Sequence, residues 1–387
     1  MSKRADAATP TTGGDPVVRA HAKSAIGDGI IGHDLAKSTL AQALASGHVP
    51  HAWIFHGPAG VGKCATALAF AGVLVDPEAT ASDRATLTPA RDTHSTRLLC
   101  AGTHPDVRII RADLAASSAD REIRERKQIN IPIGLLREHL IGGGDRGGAS
   151  FDAPVSRSSA LGAGKVFIID EAERMEPDAQ NALLKTLEEP PPRTAIVLVT
   201  TSVDRLLPTI RSRCQRVAFH ALPATEMRAW MNKNLGEVSG SAREFIESFA
   251  DGSPGAAVVA AELGMEAWHA ELAPMIDRLA RGECPIEMSE RMHDIASGVA
   301  EAAVKRDPLA SKEAANRRAV GLLFALIAAE VRRRMRAGGD APRAIDYWSL
   351  VPPLLSVAES HIRSNVNMKH ALADFVAQWA LLRARVA

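Results

Sequence analysis

Apolar positions in the first 220 residues concentrate in short runs, interrupted by charge only at Arg108 and Arg216. Residues 52–56, 107–110, 166–169, 195–199 and 216–219 are such runs, mostly Val, Ile, Leu and aromatic residues. A strand with one wet face would alternate, so continuous runs predict strands buried on both faces. Between them the apolar spacing changes to three and four. Residues 35–44, 64–75, 133–141 and 177–187 predict helices on that period. Pro190, Pro191 and Pro192 close the last of these, because proline cannot continue a helix. Strands alternating with helices predict a mostly parallel α/β sheet.

Beyond residue 220 the strand signal ends. Residues 222–263 predict short helices around a break at Gly252-Ser253-Pro254-Gly255, and the chain then reads as helical to its end. The segment 320–336 is the strongest, apolar at first and closing with Arg332, Arg333, Arg334, Met335 and Arg336. Basic residues at a helix end ordinarily compensate its dipole; contact with DNA is the alternative. Two stretches carry no clear period. Residues 115–128 are polar and charged, and residues 142–159 are rich in glycine and serine, which predicts a mobile loop.

A chain of 387 residues exceeds one ordinary core, so two or three domains are expected. Lys plus Arg count 46 against 45 for Asp plus Glu, a net charge of +1, which excludes a global basic field but not a local patch. Aromatic content of 4%, with Tyr347 the single tyrosine, argues against a stacking platform for single strands. Cys64, Cys100, Cys214 and Cys284 are far apart, which fits neither a disulfide framework nor a zinc site and agrees with a reducing cytoplasm. Residues 1–28 lack an apolar core and read as a disordered tail, not a signal peptide. No apolar run approaches the roughly 18 residues that span a membrane.

Candidate chemistry begins with Gly57-Pro58-Ala59-Gly60-Val61-Gly62-Lys63, between a strand and a helix. Glycines let the backbone curl its N–H groups around a phosphate, and the following helix adds its positive end. Gly57, Gly60 and Gly62 would shape this loop, with Lys63 at the β- and γ-phosphates. Cys64 then stands where a hydroxyl would ligate Mg²⁺, and a thiol is a poor ligand for that hard ion. ATP or ADP binding is therefore easier to support than Mg²⁺-dependent hydrolysis. The alternative is a glycine-rich turn without a ligand.

Asp170 and Glu171 follow a buried strand, at the edge where α/β sheets bind ligands. Asp170 would hold the water shell of Mg²⁺, and Glu171 would orient the attacking water. An exposed acidic turn before a helix is the plainer reading. Thr201, at the end of the next strand, could touch the γ-phosphate or that water. Arg211 and Arg213 have no role that spacing assigns.

Together these motifs resemble the bacterial DNA polymerase III clamp-loader subunits, an AAA+ family. The resemblance rests on residues 57–63, Ala101-Gly102-Thr103-His104-Pro105-Asp106, Asp170-Glu171, Asn181-Ala182-Leu183-Leu184-Lys185-Thr186-Leu187-Glu188-Glu189-Pro190-Pro191 and Ser212-Arg213-Cys214. It spans about residues 29–220, and within the family the delta-prime type is the nearest. It implies an α/β P-loop AAA+ domain over 29–220, a small helical lid over 221–264 and an all-helical collar over 265–387. It also implies a hetero-pentameric ring with delta and gamma/tau subunits, which loads a sliding clamp on primed DNA. Arg213 would act as an arginine finger on a neighbouring subunit's ATP. The whole assembly polymerises DNA, but no polymerase site lies in this chain.

Three departures qualify the resemblance. Only Cys100 lies where many members carry four zinc-binding cysteines, so no zinc is expected. Ala256 stands where an arginine often senses nucleotide, and Cys64 lacks the hydroxyl. Weak or absent ATPase activity follows from the last two. A gamma/tau-type motor, or a stand-alone AAA+ protein outside the polymerase, are the alternatives.

Overall fold

The computed structural model describes residues 21–22, 25–26, 29–125, 129–144, 150–306, 311–337, 342–364 and 366–386. These fall in two compact units, one within Met1–Met227 plus Gly252–Gly255 and one within Arg228–Asp251 plus Ala256–Ala387. The tail expected over 1–28 lies outside the described residues except at 21–22 and 25–26. There Ala22, Ala25 and Ile26 are buried in the first unit's core, a spacing of three and one that puts apolar groups on one side of a turn.

The first unit holds the strands β1 (Ala52–His56), β2 (Val107–Ile110), β3 (Gly143–Gly144), β4 (Ser150–Phe151), β5 (Lys165–Ile169), β6 (Thr194–Thr200) and β7 (Gln215–Ala218). The main sheet has the order β2-β5-β6-β1-β7, and its pairs are parallel. Strand side chains alternate between two cores. Trp53, Phe55, Val107, Ile109, Val166, Ile168, Val197 and Val199 face one. Ile54, Ile110, Phe167, Ile169, Ile196 and Leu198 face the other. Both faces of β1, β5 and β6 are thus covered, and their apolar runs follow, whereas the edge strand β7 buries only Val217.

Helices α1 (Asp34–Ser46) and α2 (Lys63–Val75) contribute to the first core, and α3 (Pro177–Glu188) to the second. In the first core the Trp53 ring lies 5.6 Å from Phe70, and Phe55 lies 5.3 Å from Phe219, centroid to centroid. Burial of each such side chain contributes about 1.5–3 kcal/mol. The stretch expected to be helical over 133–141 starts as an α-helix, Ile133–Leu136, and continues as a wider π turn, Arg137–Ile141. Within the expected mobile loop, β3 and β4 pair antiparallel and Pro154–Ser156 forms a 3-10 turn. A methyl on Gly142 would lie 2.5 Å from the Ala153 nitrogen, so glycine permits this fold-back.

The second unit is helical throughout its described residues, with Met265–Ala280, Glu287–Arg306, Lys312–Ala337, Val351–Arg363 and Met368–Val386 its longest helices. Glu330 is buried and accepts from His269, Arg333 and Arg334. Burial alone would raise its carboxyl, but these donors hold it far below the ordinary range. The arginine cluster at this helix end is paired inside the same unit: Arg332 and Arg336 approach Asp251, Arg333 bonds Glu330, and Arg334 bonds Glu330 and Asp277. No helix among the described residues is long and apolar enough to cross a membrane.

One buried polar residue fixes α3 in the first unit. The Gln180 amide donates to the carbonyls of Met175 and Arg205, each at 3.2 Å, and accepts from the Leu207 N–H at 2.8 Å. Gln180→Leu keeps most of the volume and strands three backbone groups. It should lower stability by about 1–3 kcal/mol, read as the urea midpoint of the purified chain. An unchanged midpoint would show that these bonds carry no net stability.

Candidate functional site

The glycine-rich loop leaves β1, an interior strand between β6 and β7. Gly57, Gly60 and Gly62 hold φ of 141°, 72° and 107°, where a side chain is strained. Gly57 has a second reason: a Cβ there would lie 2.1 Å from the Phe219 carbonyl oxygen. The His33 Nε2–H donates to the Val61 carbonyl at 2.7 Å. The break at 252–255 docks on the same loop. The Ser253 hydroxyl donates to Ala59 O at 3.0 Å, and the Gly255 N–H donates to Gly60 O at 2.8 Å. The loop is therefore braced from both sides by segments distant in sequence.

Lys63 opens α2 and is buried, its ammonium donating to Gly57 O at 2.8 Å and Pro58 O at 2.5 Å. Burial lowers its pKa, while Asp170 and Glu173 act in the opposite sense. Cys64 is buried one residue further on. The Thr66 hydroxyl donates back to Gly62 O at 3.0 Å, so it does not replace the hydroxyl missing at 64.

Asp170 follows β5, and burial pushes its carboxyl above the usual range; Glu173 pushes the same way, while His21 and Lys63 oppose it. Glu171 takes a left-handed conformation, φ 51°, and pairs with Arg174 at 3.1 Å. Thr201 is engaged by Glu173, a carboxylate that no local motif singles out. Its hydroxyl donates to Glu173 Oε1 at 2.5 Å, and its N–H donates to the same oxygen at 3.2 Å. Burial works against the Glu173 charge, yet these hydrogen bonds hold its carboxyl below the ordinary range. The structure thus brings Lys63, Cys64, Asp170 and Glu173 to one corner, and Thr201 joins it through Glu173.

Arg213 lies in a different setting. Its guanidinium pairs with Glu188 at 2.7 Å and donates to Thr209 O at 3.0 Å. Neither partner belongs to the glycine-rich loop. Arg211 pairs with Asp204 at 3.0 Å. Burial pushes the Cys214 thiol up to about 12, so this cysteine stays protonated. Glu188 sits in the quoted stretch 181–191, but its partner could not be read from spacing, because the two are joined only by the fold.

The Gly-Thr-His-Pro-Asp segment does structural work. The Asp106 carboxylate accepts from the Ser159 hydroxyl and from the N–H groups of Ala160 and Leu161, at 3.0, 2.7 and 2.9 Å. The His104 ring bonds the Ser95 hydroxyl at 3.0 Å.

As a ligand site, the loop fits a phosphate: left-handed glycines, a helix start and a lysine share one spot. The corner at Cys64 does not fit Mg²⁺ in the ordinary way, because a buried thiol replaces an oxygen donor.

A family model described as DNA polymerase III, delta subunit, matches residues 32–223. The delta-prime subunit of DNA polymerase III from Pseudomonas aeruginosa is 31% identical over 204 residues, 53% of this chain and 53% of that protein. The gamma/tau subunit from Mycobacterium tuberculosis is 30% identical over 200 residues, 52% of this chain and 29% of that protein. The chain thus spans about half the length of the first relative and less of the second. A crystal structure of a DNA polymerase III gamma subunit-related protein from Thermotoga maritima aligns over 90% of this chain and 99% of its own, at 20% identity and a TM-score of 0.41.

Asp170 generates a pH prediction. A carboxyl raised by folding favours the fold at pH below its unfolded pKa, and that contribution is lost as pH rises through the folded value. Ionised Asp170 therefore costs stability at neutral pH. In chelator, Asp170→Asn should raise the melting temperature at pH 7, and the gain should shrink below about pH 4. An equal gain at both pH values would mean that ionisation is not its source.

Proposed function

We propose that this chain, whose residues 32–223 match the family model described as DNA polymerase III, delta subunit, serves in a clamp loader as a delta-prime-type subunit, a weak or inactive motor that supplies Arg213 to a neighbour. Cys64 carries the non-motor half of this reading. It removes the hydroxyl that would ligate Mg²⁺, and Thr66, bonded to Gly62, does not restore it. Two further features agree. Glu171 pairs with Arg174, and Ala256 carries no guanidinium. ATP or ADP would bind statically, through the loop and Lys63.

Arg213 carries the other half. It is about a third exposed and is held by Glu188 and the Thr209 carbonyl, so its guanidinium is ordered at a surface before any ligand arrives. A pre-positioned arginine can stabilise charge on a transferring phosphoryl group without paying for ordering at that moment. In this reading residues 29–220 form the AAA+ module, 221–264 the lid and 265–387 the collar. Delta and gamma/tau subunits complete a hetero-pentameric cytoplasmic ring, which places the sliding clamp on primed DNA.

A gamma/tau-type motor is the second reading, and the retained Lys63, Asp170 and Glu171 favour it. The two readings separate on ATP turnover by the isolated chain, which should be at background. A rate that collapses in Lys63→Ala and Glu171→Gln would overturn the non-motor reading.

The finger is tested by reconstitution with delta and tau subunits, clamp and primed DNA. Wild type should enter the ring. Arg213→Ala should enter equally and lower DNA-stimulated ATP turnover at least about tenfold, a modest share of what such a finger supplies elsewhere. Entry with unchanged turnover would make the chain a structural subunit. Failure of wild type to enter, with self-assembly instead, would favour a stand-alone AAA+ protein.

A further inference from the structure

We propose that His21, Cys64 and Asp170 form a binding site for a soft divalent cation of the zinc class, at the start of α2. The three donors come from separate parts of the chain: a turn at the N-terminal side, the second residue of α2 and the residue after β5. A ring nitrogen of His21, the Cys64 sulfur and an Asp170 carboxylate oxygen all lie within 4.8 Å of one another. Bonds of about 2.0–2.3 Å in a tetrahedral site put ligand atoms roughly 3.3–3.7 Å apart. The set therefore has to close by about 1 Å to hold an ion.

The donor chemistry selects the metal. Sulfur, imidazole nitrogen and one carboxylate oxygen suit zinc and discriminate against Mg²⁺ and Ca²⁺, which demand oxygen. Charge agrees as well. A thiolate and a carboxylate carry two negative charges into a largely buried corner, and a divalent ion neutralises them, where isolated buried charge would be costly. Cys64 is buried, while His21 and Asp170 are half-buried, which leaves one side for a water as fourth ligand. The Lys63 ammonium is turned to the carbonyls of Gly57 and Pro58.

This site is separate from the four-cysteine zinc set whose absence the sequence indicates, and it does not depend on the clamp-loader reading. A bound ion would fasten residue 21 to the phosphate loop's helix and to the end of β5. The replacement of a hydroxyl by a thiol at 64 would then be a change of metal, not only a loss.

The test uses the full chain, stripped with chelator, in a Cys100→Ser/Cys284→Ser background that removes the two exposed thiols. Cobalt(II) should bind once per chain and give a thiolate-to-cobalt charge-transfer band that zinc(II) abolishes. Zinc should also raise the melting temperature, since it binds the folded state. Cys64→Ser should lose the band, and His21→Ala should weaken binding at least about tenfold. If Cys64→Ser does not fold, His21→Ala carries the test alone. No band in the parent chain, a band that survives Cys64→Ser, or unchanged affinity in His21→Ala would each overturn the proposal.

Discussion

The carbonyl oxygen of Phe219 occupies the space where Gly57 would carry a side chain, 2.1 Å from the Cβ position. That contact fixes where the chain leaves the sheet. β1 is pinned between two parallel neighbours, in register with β6 on one side and β7 on the other. Its continuation must pass over the carboxyl edge of the sheet, and Phe219, just beyond β7, sets how closely. Only a residue without a Cβ makes the passage, and the φ of 141° makes the same demand independently. The loop, the start of α2 and Lys63 follow from that exit point. Asp170 follows β5 and Thr201 follows β6 along the same edge. The site is therefore a property of strand order before it is a property of any side chain.

The corner formed there is electrostatically unusual. In a Mg²⁺-dependent site the metal is the largest local charge, and it sets the carboxylates around it. Here a thiol takes the place of the hydroxyl donor, and the carboxylates are governed by other groups. Glu173 is held ionised by the Thr201 hydroxyl and N–H. Asp170 is burdened by its burial, and His21 and Lys63 only partly offset this. The two acids differ in surroundings more than in chemistry, and Asp170 is the one with an unmet need for positive charge.

Strands β1, β5 and β6 were legible because burial on both faces leaves long apolar runs; the edge strands β2 and β7 carry Arg108 and Arg216 and were legible from their remaining apolar residues, β7 lying one residue earlier than the run over 216–219. Lys63 and Asp170 were legible because a strand, a turn and a helix place them by local rules. What was not legible depends on contacts between distant segments. Glu173 has no sequence signature because an acidic residue in a turn is ordinary, and only the fold brings Thr201 to it. His21 lies in a segment whose composition reads as tail, and its approach to Cys64 and Asp170 has no local signature. In the loop over 142–159 glycine signals freedom, but Gly142 carries a further constraint that has no local signature: Ala153 leaves no room there for a side chain.

Helix α3 shows why the stretch 181–191 is so specific in sequence. Gln180, just before it, ties the helix to the segment 203–207. Leu183 and Leu187 bury the inner face. The Leu187 carbonyl accepts from the His51 ring at 3.0 Å, at the entrance to β1. Glu188 then takes Arg213. A single helix thus sets the start of β1 and the place of the arginine. A helix with four such obligations in nine residues has few free positions. Its first duty is geometric, and whatever Arg213 does for a neighbour rests on that geometry.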